Sequence, residues 1–188
     1  MKIRSREELI NYFNQGNQVK YVFFWGHQQP EEGISKTCFS QWYEASFKID
    51  GILYRTAEHC MMAEKARLFG DQLSEDKILQ SCTPGEAKKI GRSVQGFDES
   101  LWLENRFSIV IQANLGKFSQ NMPLKEFLLG TNNRILVEAS PVDRIWGIGL
   151  AADDKSAENP NLWKGENLLG FALMEVRSLL SEGVISKN

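Results

Sequence analysis

The chain has 188 residues, 42% hydrophobic and 24% charged, with 22 basic against 24 acidic side chains and a net charge of -2. That length fits one domain, and a chain of this size can bury about 70% of its unfolded surface, so it needs no disulfide or metal staple to fold. The near-neutral balance excludes a protein that coats DNA or an anionic membrane through its overall field, leaving DNA possible only as a modified substrate at one local site.

Met1 to Glu8 turns acidic where a signal peptide would turn apolar, and no run approaches 18 uninterrupted apolar residues. Neither a membrane span nor export is therefore expected, and a cytoplasmic location follows. Ser5-Arg6-Glu7-Glu8 is a capping box that opens a first helix through Leu9, Ile10 and Phe13 to Gly16. Val19 to Trp25, rich in β-branched and aromatic residues, predicts a strand, and the Gly- and Pro-bearing 26–37 predicts a loop. Phe47 to Tyr54 predicts a hairpin, because Asp50-Gly51 supplies the positive φ angles of a tight turn.

Thr56 is the expected N-cap of a helix running to about Phe69 and ended by Gly70. Thr83-Pro84-Gly85-Glu86 starts a short helix to Gly91 or Arg92. A longer helix is expected over 99–115, with Leu103, Phe107 and Val110 on one face, and another from Pro123 to Leu129. Ile135 to Ala139 is a strand closed by Pro141, 153–166 is a polar surface loop, and Leu169, Leu173, Val176 and Leu180 share a face of a last helix over 167–181. Helices outnumber strands without regular alternation, and no linker or repeat divides the chain. The expected fold class is α+β: a single helix-rich domain, 1–188, with a small, partly antiparallel sheet.

Cys38, Cys60 and Cys82 are odd in number with no Cys-x-x-Cys pair, so reduced, buried thiols are expected rather than a disulfide framework or zinc site. Only His27 and His59 are present, nothing in the sequence pairs them, and no metal or cofactor is expected. Gly147-Ile148-Gly149 lacks the third glycine and the following helix of a dinucleotide loop.

Aromatics make up 11% of the chain, and two clusters lie close together, Tyr21 to His27 and Phe39 to Tyr43. Most aromatics serve as core. Two clusters beside Gly26, His27, Ser40 and Gln41 also have the means to build a flat pocket for a ring-shaped ligand.

The chemistry concentrates in three stretches. On the helix after Thr56, the i, i+4, i+7 spacing puts Glu58, Met62 and Lys65 in one stripe. An apolar residue between two ionisable ones suits a partly dry cavity; the other reading is an acidic first turn and a solvated lysine. His59 points elsewhere and reads as a hydrogen-bonded structural histidine. Glu138 to Gly149 is a strand end with a turn bearing Asp143, Arg144 and Trp146, where Gly147 and Gly149 allow close backbone approach to a ligand. A surface Asp143–Arg144 pair beside a core Trp146 is the alternative. Lys88-Lys89-Ile90-Gly91-Arg92 carries charge for a phosphate, or simply a solvated helix end.

These segments resemble the NADAR, or YbiA-like, family. The shared blocks are Phe23-Phe24-Trp25-Gly26-His27; Phe39-Ser40-Gln41-Trp42; Thr56-Ala57-Glu58-His59-x-Met61-Met62-x-x-Lys65-Ala66; Gly91-Arg92; Leu136 to Gly149; and Asn167-x-Leu169-Gly170-x-x-Leu173-Met174-x-x-Arg177. They run in order over about residues 20–180. The resemblance implies a YbiA-like fold and an N-glycosidase that hydrolyses the bond between a ribose carbon and a base-like amine. Two substrate classes are implied: aminopyrimidine riboside phosphates of the riboflavin pathway, and ADP-ribose attached to guanine. Carried to matching positions, it places Glu58, Lys65, Asp143 and Trp146 in the active site. Phe23, Trp25, Gly26, His27, Phe39, Ser40, Gln41, Arg92, Gly147 and Gly149 are the candidate substrate contacts. Gln41 stands where the family often has Asn, and Ile148 where some members have Asp, so any role of that Asp does not carry over.

Cleaving such a bond places positive charge on the anomeric carbon and requires a proton for the departing nitrogen, which suits a pair of carboxyl groups. A neutral Lys65 amine could instead attack C1 of the ribose and form an imine. Burial beside Met62 favours that neutral form and Glu58 opposes it. A non-catalytic ADP-ribose or nucleotide-binding module, and a structural protein whose aromatics are all core, are the rival readings. Oligomeric state is left open by the sequence.

Overall fold

The computed structural model describes residues 3–183; Met1, Lys2 and 184–188, at the two ends of the expected domain, lie outside the described residues. The described chain is an α+β fold with helices α1 (Arg6–Asn14), α2 (Ala57–Leu68), α3 (Gln72–Gln80), α4 (Pro84–Gly91), α5 (Glu99–Gln120), α6 (Met122–Leu129) and α7 (Leu168–Ser181). Its strands are β1 (Tyr21–Phe24), β2 (Phe47–Ile49), β3 (Ile52–Tyr54) and β4 (Ile135–Glu138). They form two separate two-stranded sheets: β1 pairs with β4 in parallel, and β2 with β3 as the Asp50-Gly51 hairpin. Among the described residues no helix is long and apolar enough to cross a membrane.

Local chemistry accounts for most of the boundaries. Ser5 caps α1 by accepting from Glu8 N, but Glu8 turns back to Arg4 N rather than to Ser5, so only half of the box forms there. At α4 both halves form between Thr83 and Glu86. α3 is an additional helix that the apolar pattern does not announce. Asp71 caps it, and of its residues only Glu75 and Ile78 are buried. α5 runs five residues past the expected 115 because Gly116 is no terminator. A Cβ there would meet the Phe47 ring at 2.6 Å, so the missing side chain admits the hairpin. On α5, Val110 is core and Phe107 half-buried, but Leu103 is exposed, so that apolar face is shorter than expected. The polar 153–166 loop buries Ala157 and Trp163, whose indole N–H donates to Ala157 O at 2.7 Å. Cys38 and Cys60 are buried as expected; Cys82 is exposed.

The parallel pair divides the apolar interior in two. Its register sets Tyr21 opposite Ile135, Val22 opposite Leu136, Phe23 opposite Val137 and Phe24 opposite Glu138. Alternate residues face opposite sides of a strand. Tyr21, Phe23, Ile135 and Val137 pack with Leu9, Ile148, Trp163 and Phe171. Phe24 and Leu136 join the main core of α2, α5 and α7. Glu138 shares their parity but lies at the strand end, where that core gives way to a cavity.

Candidate active site

A cavity of about 290 Å³ opens where the ends of β4 and α4 meet the first two turns of α2. Glu58, Met61, Met62 and Lys65 line it from α2, Lys88, Gly91 and Arg92 from α4, and Trp102 from α5. Ser40, Gln41 and Trp42 close another side, with Glu138, Asp143, Ile145 and Trp146 following β4. The expected stripe of Glu58, Met62 and Lys65 is therefore a cavity wall, and the Asp143–Trp146 turn faces it.

Two of the carboxyl groups here, Glu58 and Glu138, hold their protons unusually tightly. Glu58 is almost fully buried in the first turn of α2, its amide donating to Gln41 O at 3.0 Å, and its Oε1 has no hydrogen-bond partner among the described residues. Burial raises its pKa to about 7; Asp143 adds to the rise, while Lys88, a hydrogen bond from Trp42 and Arg92 oppose it. Lost hydration thus outweighs the helix N-terminus, which favours an anion. Glu138 is pushed to about 8, again by burial first, then by Asp143 and Glu58, against Lys88. Its Oε2 is sealed from solvent and likewise unpartnered. Asp143 Oδ1 accepts from Ile145 N and Trp146 N, both at 2.8 Å, so this carboxylate also shapes its own turn.

Lys65 answers the opposition left open above. No carboxylate of the described residues forms an ion pair with it. Its Nζ donates to Gly91 O at 2.8 Å and lies 4.4 Å from the centroid of Phe97 and 5.4 Å from that of Trp102. Burial lowers its pKa, and no opposing influence from Glu58 registers. Gly91 makes this contact possible: a Cβ there would sit 2.2 Å from Met62 Sδ.

Ser40, Gln41 and Arg92 join Glu58, Lys65, Asp143 and Trp146 at this cavity. The Gln41 amide, however, turns inward: its Oε1 accepts from Asn114 at 2.7 Å and its Nε2 faces Met61 Sδ at 3.7 Å. The other expected contacts lie elsewhere. Phe23 faces the second core, having the wrong strand parity to share a side with Glu138. Phe39 is core, 5.4 Å from Phe24 and 5.5 Å from Phe127. Trp25 is 58% exposed beyond β1, next to exposed Gly26. His27 packs on the far side of Trp42, at 5.4 Å, in a separate cleft. Gly147 and Gly149 are required by the protein's own backbone. A Cβ at Gly147 would meet Glu138 O at 2.8 Å, and one at Gly149 would meet Lys164 at 2.9 Å. His59 is structural as expected, between Thr56 Oγ1 at 2.8 Å and Ser81 O at 3.3 Å.

Sequence reasoning passed over Trp42, Trp102 and Glu138 as site residues. For Glu138 a signal existed: an ionisable residue closing the apolar run Ile135-Leu136-Val137. Trp42 and Trp102 carry none that separates them from core aromatics. Among the described residues, no group of three or more His, Cys, Asp or Glu side chains is placed to hold a metal ion. Three coupled carboxyls, a desolvated amine and two cationic side chains, walled by indoles, can transfer protons and stabilise charge on a sugar-sized ligand.

The chain as a whole is similar to proteins of known family. The NADAR domain model matches residues 23–181. N-glycosidase R617 of Acanthamoeba polyphaga mimivirus is 44% identical over 163 residues, spanning 84% of this chain and 95% of that protein. N-glycosidase YbiA of Escherichia coli is 30% identical over 143 residues, spanning 76% and 81%. The solved structure of E. coli YbiA superposes with a TM-score of 0.68 at 26% identity, covering 89% of this chain and 88% of that one. A Vibrio vulnificus relative named riboflavin biosynthesis protein VVA0006 is 30% identical over 143 residues, 76% of this chain but 35% of its own length.

Proposed function

The chain belongs to the NADAR domain family, and from that premise we propose that the cavity beside β4 cleaves the bond between a ribose carbon and a base-like amine. The protein is a hydrolase acting on N-glycosyl bonds, an N-glycosidase. The observation that carries the assignment to this cavity is the convergence of Glu58, Asp143 and Lys65 on one small space, with Glu58 held near its midpoint at neutral pH.

The roles follow from the surroundings. Glu58 exchanges protons at the ribose, because its pKa of about 7 lets it act as acid or base. Lys65 is the candidate nucleophile at C1, since desolvation favours its neutral amine and Gly91 O is its acceptor. Asp143 orients the ligand, and Trp146 walls the base. Lys88 and Arg92 supply positive charge for a phosphate.

Of the two substrate classes, an aminopyrimidine riboside phosphate is favoured. A cavity of about 290 Å³ lies at the small end of ligand sites, which suits a mononucleotide-sized ligand better than ADP-ribosyl-guanine. The name of the Vibrio relative points the same way. A cytoplasmic site of action is proposed with it, in line with the free thiols of Cys38, Cys60 and Cys82. Incubation with ribosylaminopyrimidine phosphate and, side by side, with ADP-ribosyl-guanine tests this reading by base release. Faster release from the first is expected, and no release from either overturns the function. Borohydride added during turnover should trap a mass adduct on Lys65; turnover without an adduct removes the imine and leaves the glycosidase.

A further inference from the structure

Any cleavage of an N-ribosidic bond sends the bonding electron pair to nitrogen, and an amine leaves poorly without a proton. Two carboxyl groups lining the cavity have an oxygen sealed from solvent and unpartnered, Glu58 and Glu138. Their surroundings differ in a way that divides the labour. Burial is the largest influence on both; beyond it, Glu58 faces Lys88 and Arg92 and receives the Trp42 hydrogen bond, three influences that favour its anion, against one carboxylate, Asp143. Glu138 faces two carboxylates, Asp143 and Glu58, and only Lys88 among the cations. Its direction is also fixed. The Glu138 amide donates to Asn167 Oδ1 at 2.9 Å, and its carbonyl accepts from Ile148 N at 2.9 Å. Gly147 has no side chain at the point where one would strike that carbonyl. The strand end is clamped from two sides, so the carboxyl has little freedom except in its own rotamer.

We infer that Glu138 is the acid that protonates the departing nitrogen, with Glu58 taking the proton given up by the attacking nucleophile. The proposal rests on the N-glycosidase reading of this same cavity. In the step with water, the C1–N pair leaves with nitrogen, which takes the Glu138 proton. Water adds its oxygen to C1 and loses one proton to Glu58 carboxylate. The products are the free amine and the ribose hydroxyl, and one proton has moved from Glu138 to Glu58. Exchange with water entering the emptied cavity resets both groups before the next turnover. If Lys65 attacks first, its ammonium proton goes to Glu58 by the same route, and water later releases the sugar. The acid must be protonated to work, which the site favours at neutral pH because Glu138 keeps its proton up to about 8.

The test is the pH profile of ribosylaminopyrimidine phosphate hydrolysis by the wild-type protein, Glu138→Gln and Glu58→Gln. Wild-type activity should fall as pH rises through about 8 and as it drops through about 7. Glu138→Gln should lower kcat by roughly 10²–10⁴ with KM little changed and should lose the alkaline limb. Glu58→Gln should lose the acid limb instead. A Glu138→Gln enzyme within threefold of wild type, or one that keeps the alkaline limb in place, overturns the proposal. Carbon-13 NMR titration of the wild-type Glu138 carboxyl reads the same claim without any variant. A carboxyl already ionised at pH 6.5 overturns it, and one still protonated there supports it. Absence of base release by the wild type from either substrate class overturns the glycosidase reading, and this proposal falls with it.

Discussion

Two desolvated lysines of this molecule, one half-buried and one enclosed, meet similar chemistry and end in different positions. Lys65 and Lys117 both lie near aromatic rings, donate to backbone carbonyls and have no carboxylate in an ion pair among the described residues. Burial lowers the pKa of each, that of Lys117 to about 7. Lys117 is wholly enclosed and donates to Cys38 O at 2.6 Å and Ser40 O at 2.8 Å, pinning the segment that brings Ser40 and Gln41 to the cavity. Lys65 has one acceptor among the described residues and lines the cavity itself. A desolvated amine is therefore not in itself a reactive one. What separates the two is whether a ligand can reach the nitrogen.

The sharpest way to break the comparison is Lys65→Met, expected to lower kcat/KM on the order of 10³-fold or more while leaving the unfolding midpoint in place. A variant that loses stability but keeps turnover would make Lys65 a strut like its counterpart. Lys117→Ala should do the reverse. It creates a cavity and strips Cys38 O of its donor, at about 3–5 kcal/mol in urea unfolding. Its activity at low temperature should survive to the extent that the 38–41 segment stays placed.

The pH dependence of stability separates amines from carboxyls by sign. Lys117 titrates near 7 in the folded protein against 10.5 ordinarily, so the unfolded chain binds more protons between these values, and stability falls as pH drops from about 10 to 7. Glu58 and Glu138 run the other way. Folded values of about 7 and 8 against 4.5 mean that stability is lost as pH rises from about 5 to 8. Each site contributes a slope of at most about 1.4 kcal/mol per pH unit. A stability minimum near pH 7–8 is expected. Lys117→Ala should flatten its alkaline side and Glu138→Gln its acid side, both read by urea midpoints across pH. The smallest effect is expected from Gly91→Ala, which pushes Met62 aside and lengthens the Lys65–Gly91 contact at about 1–3 kcal/mol.

The parts of the site set by local rules were legible in the sequence. Thr56 and the helical repeat put Glu58, Met62 and Lys65 on one face, and Thr83 to Glu86 started the helix that carries Lys88 and Arg92. The parts set by packing were not. Phe23 and Glu138 sit on opposite faces of the parallel pair, a difference of strand parity that only the register reveals. Phe39 and Trp42 are three residues apart in one aromatic run, yet one fills the core and the other walls the cavity. Gly147 and Gly149 are required by close approach, as their spacing suggested, but what approaches is the protein's own chain. Lys117 carried no signal, because a lysine past a glycine in a helix reads as solvated until the Cys38 to Ser40 backbone is seen to accept from it.

The parallel pairing of β1 with β4 also has a kinetic side. Tyr21 to Phe24 lies near the start of the chain and Ile135 to Glu138 beyond its middle, so their ladder closes a very long loop, a contact that forms slowly compared with a helix. Glu58 and Lys65 are neighbours as soon as α2 exists, whereas Glu138 and the Asp143 turn take their places only once that ladder has formed. The cavity is thus assembled from an early half and a late half, and a partly folded chain carries the amine without the full set of carboxyls. Catalysis is reserved for molecules whose most distant strands have met.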